Sequence, residues 1–180
     1  MKILIPFFSL LFISQLTTAQ DLAFTGLDKS PLDVVMYRGD DQAAIARIIY
    51  SRPAKKDRVV FGKLVPYGQV WRTGANEATE VTFYKDVIIN DETIEAGTYS
   101  IFTVPDEDQW KFILNGQTTQ WGTRYDNQYD VFTTEMNVSS APETIENFSI
   151  RIIEEIDGGT IFMGWDDRIA SLHFDVASED

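Results

Sequence analysis

The chain has no cysteine and one histidine, His173, in 180 residues. The first absence removes disulfides, thiolate nucleophiles and thiolate zinc sites, and the second removes multi-histidine metal centres. No cofactor or metal is therefore expected. Positive charge is also scarce, with 15 Lys and Arg against 28 Asp and Glu and a formal net charge of −13. That balance argues against nucleic acid as a partner, because neutralising phosphates needs a basic surface. Long apolar runs are missing too. The run 3–13 is broken by Pro6 and Ser9 and falls well short of the about 20 residues that cross a bilayer as a helix. No membrane span is expected, and no internal repeat, low-complexity tract or linker divides the chain.

The N-terminus has the order of a secretory signal peptide. Met1-Lys2 gives a positive start, an apolar run follows, and Thr17-Thr18-Ala19 ends on small residues, so residues 1–19 are expected to be removed. The expectation is export, to the periplasm or the extracellular space. Residues 20–30 read as a polar lead-in and 31–177 as one domain. About 160 residues can bury a core without covalent staples.

Hydrophobicity alternates with period two through most of that domain. Trp110, Phe112 and Leu114 alternate with Lys111, Ile113 and Asn115, and Ala170, Leu172 and Phe174 with Ser171, His173 and Asp175. Each run is a half-buried strand. Asp157-Gly158-Gly159 makes a hairpin turn, and Trp165-Asp166-Asp167-Arg168 a second tight reversal. Residues 41–50 carry helix-forming alanines, but Ile48-Ile49-Tyr50 before Arg52-Pro53 favours a strand. The fold expected is all-β: an antiparallel β-sandwich, jelly-roll or immunoglobulin-like, of roughly nine to eleven strands with little helix. An incomplete barrel is the alternative.

The densest group of directional side chains lies in Val65–Thr79, read as a short strand ending in Trp71 and running into Arg72-Thr73-Gly74-Ala75-Asn76-Glu77. Trp71, Arg72, Asn76 and Glu77 supply an indole, a guanidinium, a carboxamide and a carboxylate, the group types that hold a sugar or small polar ligand. The structural alternative pairs Arg72 with Glu77, gives Asn76 to the turn and Trp71 to the core. Gly74 is expected at positive φ, where the chain reverses. Arg52 and Arg58 flank the most basic stretch and are candidates to hold a carboxylate or phosphate. Trp121 and Tyr125, with Tyr129, either form a stacking platform or pin a long polar loop.

Other constellations are weaker. Ser171, His173 and Asp175 share a strand face, but neighbours two apart lie about 7 Å from each other, too far for a relay. Acidic turns such as Asp106-Glu107-Asp108 lack calcium-loop spacing. Glu77 is the one acid nominated for glycoside hydrolysis, and no partner carboxylate is identified.

Tyr50-Ser51-Arg52-Pro53, Arg58-Val59-Val60-Phe61-Gly62, the Val65–Thr79 stretch, Gly97–Pro105 and Trp121-Gly122 together resemble the family known as domain of unknown function 2911. The resemblance spans roughly residues 30–177 and is most specific in Trp-Arg-Thr-Gly-Ala-Asn-Glu. It implies a mostly β domain in exported proteins, mainly of Bacteroidota-type bacteria, and carries no reaction or catalytic residue. The function expected is a non-catalytic binding module for a glycan or small polar ligand. A hydrolase acting on a carbohydrate-type substrate and a structural or assembly protein of the envelope are the alternatives. Oligomeric state is left open.

Overall fold

Side chains of Trp110, Phe112 and Leu114 all point to one side of a strand and are completely buried. That is the pattern of a pleated strand with one face on a core. The computed structural model describes residues 24–178, so the signal peptide expected at 1–19 and the first residues of the lead-in lie outside it. Nine strands form: β1 (Leu32–Arg38), β2 (Ala44–Ser51), β3 (Thr79–Phe83), β4 (Val87–Ile89), β5 (Glu92–Ile94), β6 (Gly97–Val104), β7 (Gln109–Asn115), β8 (Asp130–Glu154) and β9 (Gly158–Val176). Among the described residues the only helical turn is 3-10, Asn127–Tyr129. The fold is all-β and sandwich-like.

All strand pairs are antiparallel, in one continuous order β1-β2-β3-β6-β7-β8-β9-β4-β5. The sheet doubles over, so β1–β3 face β8–β9 across one large core, and Ala78, Phe102 and Ile113 form a second, small cluster. Tyr37 meets Phe174 edge-on at 5.9 Å, and Tyr50 meets Phe148 at 5.7 Å. Both phenols also stitch the layers: Tyr37 Oη donates to the Gly158 carbonyl at 2.6 Å, and Tyr50 Oη accepts from Ile150 N at 3.0 Å. Burying each large apolar side chain between the layers contributes about 1.5–3 kcal/mol.

Two local readings change. The segment 165–168 is not a reversal, because β9 runs through it. Asp166 adopts φ 54°, a bulge that shifts the inward parity from Ile161, Met163 and Trp165 to Ala170, Leu172 and Phe174. The register of β8 against β9 slips at the same place, and both halves of the strand reach the core. Nor is Val65–Trp71 a strand. Residues 52–78 cross from β2 to β3 with isolated bridges alone, including Trp71 with Thr103 and Glu77 with Trp121.

This crossover caps one end of the core. Phe61 and Trp71 descend from it onto Trp110, Phe148 and Trp165, with Trp71 stacked on Trp165 at 5.8 Å. The cap is therefore anchored by aromatic packing, and its polar side chains project outward from a fixed base.

Candidate functional site

The backbone of the motif is locked from several directions. Trp71 exchanges both hydrogen bonds with Thr103, its N donating at 2.7 Å and its carbonyl accepting at 2.9 Å. Trp71 Nε1 donates to the Gly74 carbonyl at 3.1 Å, and the Thr79 hydroxyl to the Thr73 carbonyl at 2.6 Å. Thr73 is buried at φ 54°, and Asn76 follows at φ 59°. A positive φ at a β-branched residue is unfavourable by about 1–3 kcal/mol, and here the surrounding bonds hold it. Gly74 has the expected positive φ, at 158°. Glycine is needed there for space as well, since a Cβ would lie 3.0 Å from the Ser51 carbonyl oxygen.

Two cavities open beside this platform. The first, about 490 Å³, includes Lys56, Arg58, Gln69, Trp71, Arg72 and Asn76 in its walls. The second, about 550 Å³, includes Asp28, Leu32, Ile49, Asn76, Glu77 and Glu80. Ser30 and Asn76 border both. Three of the expected site residues, Trp71, Arg72 and Asn76, therefore meet in one cavity, while Glu77 is exposed and turned into the other. The ion pair between Arg72 and Glu77 that a purely structural motif would use does not form.

Arg72 is half-buried, and its Nε is buried without a hydrogen-bond partner. Burial pulls its guanidinium below the usual arginine range. Its stem passes directly over Gly122, where a Cβ would overlap it, and Gly122 N donates to the Asn76 carbonyl at 3.0 Å. The Trp121-Gly122 pair thus supports Arg72 through the glycine, not the indole. Trp121 is 49% exposed and borders neither cavity. Tyr125 packs on Phe102 at 4.8 Å and its hydroxyl donates to Asp130 Oδ2. Burial and that carboxylate push its phenol far above the ordinary range. Tyr125 therefore pins the loop, and the expected stacking platform separates from the cavity.

Asn76 Nδ2 donates to Asp28 Oδ1 at 3.1 Å, which ties the lead-in to the cap. That bond and the Ser30 N–H hold the Asp28 carboxyl below the usual carboxylate range, the Ser30 bond contributing most. Arg52 is a structural residue: it donates to the Phe148 carbonyl at 3.1 Å, Ser149 Oγ at 2.7 Å and Asp33 Oδ2 at 3.0 Å. Arg58 instead borders the first cavity.

His173 does reach Asp175, at 3.0 Å, because the side chains lean together along the strand. Its other nitrogen faces Glu155 at 3.1 Å, not Ser171, so no triad forms. Among the described residues no group of three His, Cys, Asp or Glu side chains is placed to hold a metal ion. Likewise, no helix among them is long and apolar enough to cross a membrane.

A family model described as Protein of unknown function (DUF2911) matches residues 30–174. The chain belongs to this family. The match takes in the whole cap, with Arg58, Trp71, Arg72, Asn76 and Gly122, so the cavity is built almost entirely from the family's own segment. Neither a curated protein nor a solved structure matches the chain.

Proposed function

We propose that this protein is an exported, non-catalytic binding module that holds a glycan or small polar ligand in the cavity beside Trp71, Arg72 and Asn76. One observation carries the reading: a half-buried guanidinium without a partner, facing a cavity from a rigid cap. The charge of that guanidinium is disfavoured by its partial burial, and an acceptor bound in the cavity offsets the penalty. The apolar part of the wall, Val65, Pro66, Val70 and the exposed part of Trp71, suits the C–H surface of a ring, and Gln69 and Ser30 suit its hydroxyls. The test is a glycan and metabolite panel screened by calorimetry against wild type and Arg72→Ala. Binding lost in the variant supports the reading, and equal binding by both proteins removes the site.

A second reading, self-assembly, has one observation in its favour. The edge strand β1 exposes Leu32, Val34 and Met36 on its outer face at 63%, 50% and 40%, a row that a second copy would cover. Light scattering that finds a monomer at high concentration would count against it.

A further inference from the structure

The first cavity has the opposite charge to the chain that builds it. We infer that its ligand is an acidic saccharide, a sugar bearing a carboxylate or sulfate, with that oxyanion set against Arg72. The inference deepens the binding function proposed above and rests on it.

Acidic residues outnumber basic ones 28 to 15, yet the walls carry Lys29, Lys56, Arg58 and Arg72 and no carboxylate. Among the described residues none of these four is in an ion pair. The contrast with their neighbours is direct. Arg52 is paired with Asp33 at 3.0 Å and Lys55 with Asp166 at 3.5 Å. Arg58, by contrast, donates to the carbonyls of Lys55 and Ala54, which fixes its guanidinium without cancelling its charge. The basic stretch 52–58 thus divides into cations neutralised against the fold and cations left free toward the cavity.

Two nearby acids keep their charge but do not line the first cavity. Asp28 accepts from Ser30 N and Asn76 Nδ2 and borders the second cavity, and Glu146 accepts the Lys56 backbone N–H. The unfavourable field of the whole chain is screened beyond about 8 Å at physiological salt, so the four wall cations, against the carboxylates of Asp28 and Glu146, set a positive local potential. The planar fork of Arg72 matches a carboxylate or sulfate bidentately, which a neutral hydroxyl cannot reproduce.

Calorimetric titration of the wild-type protein with trigalacturonic acid, a sulfated disaccharide, neutral galactotriose and inorganic phosphate tests this. One acidic saccharide should bind at least about tenfold tighter than galactotriose, the equivalent of one charge-assisted hydrogen bond. That preference should shrink as salt rises from about 0.05 to about 0.5 M. Lys56→Gln, an exposed change that leaves the core alone, should weaken the acidic saccharide severalfold, while Lys63→Gln outside the cavity should not. Whichever of the carboxylate and sulfate ligands binds tighter names the anionic group. Galactotriose binding as tightly as both acids would overturn the charge inference and leave the binding function standing. Phosphate binding as tightly as either acid would overturn the saccharide part. If none of the four ligands binds, the inference falls, and the broader panel with Arg72→Ala decides the binding function separately.

Discussion

Replacing Arg72 by alanine separates a ligand site from a structural motif. The side chain makes no hydrogen bond or ion pair among the described residues, and its Nε is buried without a partner. Removing an unsatisfied buried donor recovers about 1–3 kcal/mol of desolvation. Against this stands the packing of the arginine stem over Gly122, from which the variant loses about two methylenes, each worth up to about 0.8 kcal/mol when fully buried. The two nearly cancel, so Arg72→Ala should change stability by no more than about 1 kcal/mol. Binding should respond differently. Losing a charge-assisted bond to ligand costs about 1.5–3 kcal/mol, a 10- to 100-fold rise in Kd at about 1.4 kcal/mol per decade. Urea melts and calorimetry on the same preparations read both quantities. A stability loss above about 2 kcal/mol with unchanged affinity would refute the reasoning, because Arg72 would then be holding the fold.

Three further outcomes follow from the same geometry. Gly74→Ala should destabilise by about 1–3 kcal/mol in denaturant melts, since its Cβ would press on the Ser51 carbonyl at 3.0 Å and Thr79 Oγ1 at 3.1 Å. Arg52→Ala should cost about 1–2 kcal/mol, because its partly exposed guanidinium joins the end of β2 to β8 through two hydrogen bonds and to Asp33 of β1 through a third. An unchanged melt would show that those bonds contribute nothing. Gln120→Met should stabilise by about 1 kcal/mol, because both amide atoms of Gln120 are buried without partners. A destabilised variant would contradict that account.

The strands were legible where packing is one-sided. Trp110-Phe112-Leu114 and Ala170-Leu172-Phe174 alternate because one face meets the core. The hairpin between β8 and β9 forms where Asp157-Gly158-Gly159 suggested, but the turn is 155–157, and both glycines lie in β9 without positive φ. Trp165–Arg168 misleads because Asp-Asp favours positive φ, and the same local conformation serves a bulge within a strand as well as a turn. The Val65–Trp71 stretch misleads for another reason: its regularity depends on Thr103 and Pro105, distant in sequence. Arg72 and Asn76 were found through their shared turn. Glu77 was grouped with them, but the positive φ of Asn76 sends the following residue to the other cavity. The cationic wall was half visible, in Arg58 and Lys56. Lys29 and the buried Nε of Arg72 depend on how the lead-in and Gly122 pack, which no local pattern encodes.

The most direct test follows the Nε–H of Arg72 by nitrogen-edited NMR while trigalacturonic acid is added. Nε itself is buried without a partner and reports on its own guanidinium, which lines the cavity. Its signal should shift as the oxyanion engages the guanidinium, with the Trp71 indole N–H shifting beside it and the Trp121 indole unmoved. An Arg72 signal that stays fixed while a binding isotherm saturates, or while Trp121 shifts, would contradict the account.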